Sequence, residues 1–399
     1  MNVQTATRPA GYDGPLSGIK VIDVDTHWSE PPDLWTSRAP AKFKDIVPQI
    51  HEKDGARWWF IDGKPFGKVQ HASSIRKDGE KVLGMGFYGL AYDEIEEGSH
   101  SVLPRLAGMD AAGIQAQIVY PNLLGFGNTK ATGFSPEARL IATQLYNEAG
   151  AQMQAASGNR IFPMILTPWW DIDEAIKEVR RCHAMGMRGI NTNADPQEAG
   201  LPDLAQDYWN PFWEMCTELD LPINFHIGSS QSQNMWFGEA PWDSLRPDGK
   251  LIVGGTMLIA GVMKTLCNIV MSGLLERYPK LKFVSVESGI GWLPFTMDSL
   301  DYSVTQVPAS GIDHLSMMPS EYIRRNFSAC FWFERTGVRQ IVDRVGIDNV
   351  MWETDYPHPT CLYPDALAVA AESLVEFNQA EKQQILGGNA ARIYNIPLG

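Results

Sequence analysis

The stretch Val21-Ile22-Asp23-Val24-Asp25-Thr26-His27 decides both the fold and the site of this 399-residue chain. Its apolar, β-branched residues predict a short buried strand, and Asp25 and His27 stand two residues apart near its end. In an extended chain, side chains two residues apart leave the backbone on the same side. A carboxylate and an imidazole held together suit a divalent cation. The stretch therefore predicts part of a metal site at the carboxyl end of a strand.

Two later stretches can supply the remaining ligands of such a site. His226 ends the apolar run that starts at Leu221, and Asp355 lies in the segment from Asn349 to Pro359. Each residue also has an ordinary explanation. An isolated Asp-x-His can simply end a strand, a lone histidine can be a hydrogen-bonded core residue, and an aspartate before a proline can belong to a turn.

Apolar runs alternate with helical ones along the chain, which is typical of a parallel α/β fold. Eight candidate strands can be counted, the number that a closed (β/α)8 TIM-like barrel needs. The longest predicted helix covers Gly255–Arg277. The candidate strands are Lys20–Val24, Ile114–Tyr120, Ile161–Leu166, Met187–Asn191, Ile223–His226, Lys282–Val286, Ser328–Phe333 and Asn349–Trp352.

We predict a flexible arm over residues 1–18 and a single barrel domain over 19–399. A segment of about 28–105 is too long for an ordinary connection and is interpreted as an insertion after the first strand. Asp62-Gly63 predicts the turn of a small β-hairpin in it, which we expect to cover the mouth of the barrel. The aromatic residues in and near such excursions indicate an apolar pocket, an oligomer contact or core packing: Trp58, Trp59, Trp236 and Trp242.

The net charge of −14 argues against nucleic acid or an anionic membrane surface as a partner. Five cysteines without a close pair predict reduced thiols and a cytoplasmic protein. The first 18 residues lack the apolar segment of a secretory signal. The apolar stretch from Leu251 to Leu275 contains Lys264 and Asn268, which favours a buried helix over a membrane span.

Five motifs in a fixed order carry a resemblance to a known family. They are Ile22–His27, Asn224–His226, Glu287–Phe295, Asp355–His358 and Gly388–Tyr394. With these motifs the chain resembles the metal-dependent amidohydrolase superfamily, in the branch that holds the aminocarboxymuconate-semialdehyde decarboxylase and resorcylate decarboxylase enzymes. Any one motif alone would be weak, but their order over almost the whole chain is specific.

The resemblance implies one divalent metal ion held by Asp25, His27, His226 and Asp355. The superfamily usually has a histidine where this chain has Asp25, and a carboxylate there shifts the preference from zinc toward manganese or iron. Zinc, manganese and iron all stay open at this point.

The resemblance also assigns proton transfer to Asp355. Glu287 stands where many relatives have a histidine, so it could be a base, a further metal ligand, an anchor for a cationic substrate group, or a salt-bridged rim residue. An ionised Glu287 could not donate a hydrogen bond to a developing oxyanion. His358 could face the substrate or be a loop histidine, and both readings stay open.

These features predict a metal-dependent hydrolase or non-oxidative decarboxylase acting on a small carboxylated or amide-type substrate. One alternative is a manganese- or iron-dependent oxygenase on the same scaffold. Another is a metal-retaining structural subunit of a hetero-oligomeric enzyme. The resemblance implies a homodimer or higher oligomer, and a hetero-oligomer is also possible.

Overall fold

Eight parallel strand positions form a (β/α)8 barrel in the computed structural model, which describes residues 13–69, 71–234 and 242–398. Within these residues the strands are β1 (Val21–His27), β2 (Gln49–Lys53), β3 (Ala56–Ile61), β4 (Lys64–Lys68), β5 (Ile114–Tyr120), β6 (Ile161–Pro163), β7 (Ile165–Leu166), β8 (Ile190–Asn191), β9 (Ile223–His226), β10 (Phe283–Val286), β11 (Phe327–Phe331) and β12 (Val350–Trp352).

The barrel strands are ordered β1-β5-β6 in one sheet and β7-β8-β9-β10-β11-β12 in the other. β6 and β7 are two halves of one extended stretch that changes partner at Met164. The Met164 N–H donates to Val119 O at 2.9 Å, and the next N–H, of Ile165, donates to Gly189 O at 2.9 Å. At the other seam a parallel bridge joins Thr26 to Tyr356, just after β12. The eight positions predicted from the sequence are therefore all occupied by strands.

Helices follow the barrel strands and cover them from outside. In the described part of the chain they are α1 (Val102–Ala111), α2 (Pro136–Ala156), α3 (Ile172–Ala184), α4 (Asn210–Glu218), α5 (Gln231–Asn234), α6 (Pro247–Met271), α7 (Leu274–Arg277), α8 (Leu293–Val304), α9 (Pro319–Asn326), α10 (Val338–Val345), α11 (Ala366–Ser373), α12 (Gln379–Gln383) and α13 (Asn389–Ile393). The start of α2 shows why these bounds arise, since Ser135 caps the Ala138 N–H and Pro136 occupies the first turn.

Two apolar clusters account for most of the core. The larger one lies between the strands and the surrounding helices, and includes Trp35, Trp213 and Trp352. The second joins side chains from six barrel strands, among them Val24 and Cys330, to the C-terminal segment. Because neighbouring side chains on a strand face opposite ways, each of these six strands contributes to both clusters.

The insertion after β1 contains a three-stranded antiparallel sheet, β2-β3-β4, where a two-stranded hairpin is predicted. Asp62 and Gly63 do form the turn between β3 and β4, with φ of 54° and 69°. Trp59 of β3 is buried in the main core and packs edge-to-face on Trp35. A different part of the insertion reaches the carboxyl ends of the strands: the Ser74 N–H donates to Pro357 O at 2.8 Å. The extra strand could not be predicted because β2, Gln49–Lys53, has no buried residue and Ile50 is its single apolar residue.

The long helix α6 begins eight residues before the predicted start and is less buried than predicted. It is long and apolar enough to cross a membrane by length and composition alone, a test that core helices of soluble proteins also pass. Of its most apolar 18-residue window, 33% is buried. Ile252 is 69% exposed, so one face of α6 is an accessible apolar surface rather than core.

The two ends of the described chain meet beneath the barrel. The Gln383 side chain bonds both backbone groups of Lys20, just before β1. At the N-terminal end of the described chain, residues 13–18 form a turn, and Leu16 of this turn packs against the core. The rest of the predicted arm, residues 1–12, and Trp236 lie outside the described residues.

Candidate metal centre

An irregularity in β1 separates the side chain of Asp23 from that of Asp25. The pairing of β1 with β5 shifts register between Asp23 and Thr26, which is the mark of a β-bulge. Asp23 accepts hydrogen bonds from Thr354 N at 2.9 Å, Thr354 Oγ1 at 2.7 Å and Gln117 Nε2 at 3.1 Å. It thereby ties β1 to the chain after β12, while Asp25 faces the histidines.

Asp25, His27 and His226 lie together at the carboxyl ends of β1 and β9. Asp25 Oδ1 is 3.5 Å from Nε2 of His27 and 3.5 Å from Nε2 of His226. The two Nε2 atoms are 3.3 Å apart. The Nδ1–H of His226 donates to the Ile227 carbonyl at 2.7 Å, so its Nε2 carries the lone pair that points into the cluster.

Asp355 and His358 complete the opposite side of the cluster. Asp355 Oδ1 is 3.5 Å from His27 Nε2 and 2.8 Å from His358 Nδ1, and the Thr360 hydroxyl donates to Asp355 Oδ2. The His358 ring stacks on the His27 ring with centroids 3.5 Å apart. Phe126 closes the cluster, with its ring centroid 4.1 Å from that of His226.

Glu287 enters the cluster from the end of β10. Its Oε2 is 3.2 Å from His226 Nε2, and its side chain is 11% exposed whereas Asp25 and Asp355 are fully buried. Glu287 and Asp355 both have left-handed backbone, with φ of 52° and 60°. Such conformations are unfavourable for non-glycine residues and concentrate at functional sites.

The predicted site residues thus form two overlapping sets of metal-compatible groups. Ligand atoms within 4.8 Å of one another come from Asp25, His27, His226 and Glu287, and a second such set comes from His27, Glu287, Asp355 and His358. All six residues were named from the sequence. Their roles as ligands and catalysts stay predictions, since proximity alone assigns no role.

Glu353 is a buried acid of this site that the sequence interpretation missed. Its Oε2 accepts the Glu287 N–H at 3.2 Å, and its Oε1 has no hydrogen-bond partner. A signal was present, because Glu353 and Asp355 stand two apart at a strand end, as Asp25 and His27 do.

Burial dominates the electrostatics of the cluster. It raises the pKa of Asp25 well above its ordinary value, and Asp355 and Asp23 raise it further. Burial, with Asp355 and Asp25, also raises the pKa of Glu287. Burial lowers the pKa of His226 to about 4. Burial acts to raise the pKa of Asp355 as well, but its contacts with His358 and His27 outweigh burial and hold that pKa below its usual range.

The donor set fits a divalent cation. Both carboxylate oxygens of Asp25 are buried without a hydrogen-bond partner. Among the residues that the structure describes, the ion pairs of Asp25, Glu287 and Asp355 are with histidines alone, and no lysine or arginine neutralises them. Buried carboxylates need a compensating charge, and imidazole with carboxylate is the donor set of zinc, manganese and iron sites.

Comparison with known proteins agrees with the fold and the motif order. The sequence profile of a family described as amidohydrolase matches residues 22–396. The chain belongs to the amidohydrolase family. An amidohydrolase from Mycobacterium avium subsp. paratuberculosis K-10 has the same fold, with a TM-score of 0.72 and 20% identity over 94% of this chain and 99% of that one. The barrel and the superfamily predicted from the sequence are therefore confirmed.

Two curated relatives of the present chain carry out different reactions. One is the 2-amino-3-carboxymuconate-6-semialdehyde decarboxylase of Dictyostelium discoideum, 25% identical over 65% of this chain and 68% of the relative. The other is the 2-keto-4-carboxy-3-hexenedioate hydratase of Sphingobium sp. (strain NBRC 103272 / SYK-6), 21% identical over 66% and 77% respectively. Together with the family match, these relatives show that the chain is an enzyme of this superfamily.

Proposed function

We propose that this enzyme is a metal-dependent, non-oxidative decarboxylase of a small carboxylated substrate, with Asp355 as the proton-transfer residue. The observation that carries the proposal is the position of Asp355. Its Oδ1 lies 3.5 Å from His27 Nε2, within the candidate metal cluster, and still contacts His358. The similarity to an aminocarboxymuconate-semialdehyde decarboxylase supports this reaction over hydrolysis.

The proposed cofactor is one divalent ion held by Asp25, His27, His226 and Asp355, with manganese, zinc or iron as the candidates. When bound, the ion would hold the substrate carboxylate and a neighbouring hydroxyl group and would stabilise negative charge on them. Three carboxylates beside two or three imidazoles make an oxygen-rich donor set, which favours manganese or iron more than a histidine-only set does.

Asp355 performs the proton steps of the proposed reaction. Its lowered pKa keeps it a carboxylate at rest, so it can accept the proton of the substrate hydroxyl. It then gives that proton to the ring or chain carbon that carries the carboxylate. A carbon–hydrogen bond forms there, the bond to the carboxylate carbon breaks, and carbon dioxide leaves. The bond's electron pair stays with the substrate, so no oxidant or reductant is needed.

Glu287 provides a second polar group at the open side of the cluster. Burial and the neighbouring acids raise its pKa, which favours the protonated form that can donate a hydrogen bond. In that form it can bind the oxygen of a substrate carbonyl or carboxylate. His358 stays with Asp355, where the 2.8 Å contact allows a proton to pass between them.

Carbon dioxide release tests the proposal directly. Purified enzyme, loaded separately with manganese, zinc or iron, is incubated with 2,6-dihydroxybenzoate and with other carboxylates that have a neighbouring hydroxyl or amino group. We expect release of carbon dioxide without oxygen uptake, and in deuterated water one deuterium at the carbon that lost the carboxylate. Hydrolysis of an amide probe without carbon dioxide release would replace this reaction by the hydrolytic one.

A manganese- or iron-dependent oxygenase is the second candidate, and the carboxylate-rich donor set is the observation that favours it. Oxygen uptake coupled to substrate loss, absent from the zinc-loaded protein, would support it. A structural subunit is the remaining alternative from the sequence. It would lack turnover under every metal condition and regain it only with a copurifying protein.

A further inference from the structure

His358 has both ring nitrogens engaged, and the partner on its outer side is Asn122. His358 Nδ1 is 2.8 Å from Asp355 Oδ1, and His358 Nε2 is 3.0 Å from Asn122 Oδ1. An imidazole nitrogen can face an amide oxygen closely only if it carries a hydrogen, because that oxygen has no proton to give. The identity of the Asn122 atom therefore determines whether His358 Nε2 carries a hydrogen.

The orientation of the Asn122 amide follows from its other hydrogen bond. Asn122 Nδ2 lies 2.7 Å from the Trp28 carbonyl oxygen, which can only accept. The amide nitrogen must then face Trp28, and the amide oxygen must face His358. The reverse orientation would set two oxygens against each other at 2.7 Å.

The loop that carries Asn122 is itself held by a buried acid. Glu30 Oε1 accepts the backbone N–H of Asn122 at 2.8 Å and that of Leu123 at 3.1 Å. Glu30 and Trp28 follow β1, while Asn122 follows β5, so neighbouring strand ends hold the amide from two sides. Glu30 therefore fixes the backbone of Asn122 and Leu123 from the neighbouring strand end.

We propose that Asn122 is a positioning residue, which fixes the orientation of the His358 ring so that Nε2–H faces the Asn122 amide oxygen and Nδ1 faces Asp355. Asn122 acts through His358, because its side-chain hydrogen bonds go to His358 and to the Trp28 carbonyl. Without it the stacked ring could rotate, and the 2.8 Å contact between His358 Nδ1 and Asp355 Oδ1 would be lost. The consequence for turnover rests on the proposed function, whereas the state of the ring does not.

The ring state can be read by nuclear magnetic resonance on zinc-loaded protein with 15N-labelled histidine. The chain has eight histidines, and His358→Gln identifies the signal by its loss. We expect a protected proton on Nε2 in the natural protein. Asn122→Leu should remove that protection, because it deletes the oxygen that accepts the Nε2–H. If Asn122→Leu does not fold, Glu30→Ala replaces it, because it releases the same loop.

Kinetics provides the second measurement. We expect Asn122→Leu to lower kcat roughly 10-fold or more, with KM and metal content within about twofold of the natural protein. Asn147→Leu is the matched control, since it removes a buried amide that bonds Leu166. It should lower stability without moving the His358 signal or kcat.

The outcomes separate this proposal from the proposed function. An unprotonated Nε2 in the natural protein, or an unchanged signal in Asn122→Leu, would overturn the positioning role. A fall in metal content that matches the fall in kcat would also overturn it, because Asn122 would then act on cation binding. If no probe releases carbon dioxide, the proposed function fails, and the resonance of His358 alone decides the role of Asn122.

Discussion

Asp355 differs from the other acids of the cluster because its neighbours keep its pKa below the usual range while theirs are raised. We predict that Asp355→Asn lowers kcat roughly 10²- to 10⁴-fold, the contribution typical of a general acid or base. Asparagine has nearly the same shape, so the fold should persist. The measurement is turnover per bound metal ion, and unchanged turnover on that basis would eliminate the proton-transfer role. Asp313→Asn, at an exposed position, is the control.

His226 is the predicted ligand whose ring state is best determined, because the Ile227 carbonyl holds its Nδ1–H. We predict that His226→Ala lowers the metal content of the purified protein by roughly 10-fold or more. The exposed His183→Ala variant should keep full content. Elemental analysis of both variants decides the matter. Full occupancy in His226→Ala would contradict ligation.

Glu30 makes stability depend on pH, since burial raises its pKa from 4.5 to about 7. An acid whose pKa is higher in the folded state adds stability below its unfolded pKa, and this is lost as pH rises through about 7. Between about pH 5 and 8 the free energy of unfolding should fall. We predict that Glu30→Gln, which keeps an oxygen for the two backbone N–H groups, reduces this fall by on the order of 2 kcal/mol. Urea unfolding across that range measures it, and parallel pH curves for both proteins would refute it.

Some residues of the site could be predicted from the sequence, and others could not. Asp25 and His27 were accessible because strand geometry turns two-residue spacing into a shared face. Glu353 obeys the same spacing with Asp355 but was overlooked. Asn122 had no comparable signal, because its importance comes from bonds to Trp28 and His358, which are distant in the sequence.

The barrel strands could be predicted because buried parallel strands are short, continuous apolar runs. The same rule fails for β2, which has no buried residue. It also overextends the strand predicted at Met187–Asn191, where the structure has Ile190–Asn191 alone. The start of α6 was missed by eight residues, and no side-chain cap marks that start. In the last segment, between α12 and α13, the chain leaves regular α-helix geometry over Gln384–Gly388 and widens into a π-helical turn.

Gly387 lies in that last segment and explains its irregular form. A Cβ on Gly387 would stand 1.9 Å from the Lys20 carbonyl oxygen, whereas one on Gly388 would meet nothing closer than 3.5 Å. We predict that Gly387→Ala destabilises the protein by about 3 kcal/mol or more, because backbone must move. Gly388→Ala, its neighbour in helical conformation, should be near neutral. Thermal unfolding of the pair tests this, and equal melting temperatures would contradict the close approach.

The whole molecule carries a net charge of −14, yet α6 has no charged residue from Leu251 to Met263. Copies of the chain repel one another over most of their surface, so this uncharged, partly exposed helix face is where two copies can approach closely. We predict self-association through it, as a dimer or higher oligomer of the 44.4 kDa chain. Light scattering should show Ile252→Asp shifted toward the monomer mass. Val375→Asp, at a 74% exposed apolar position on another surface, is the matched control, and a monomeric natural protein would refute the prediction.

The left-handed backbone at Glu287 and Asp355 also bears on how this protein could evolve or be engineered. Each of these conformations costs about 1–2 kcal/mol for a side-chain-bearing residue, and glycine adopts them freely. Glycine at position 287 would therefore relieve local strain while deleting an acid of the cluster. Selection for heat resistance alone would favour such replacements. It would yield more thermostable proteins whose site lacks one of its acids. Any search for sturdier variants has to score turnover alongside melting temperature.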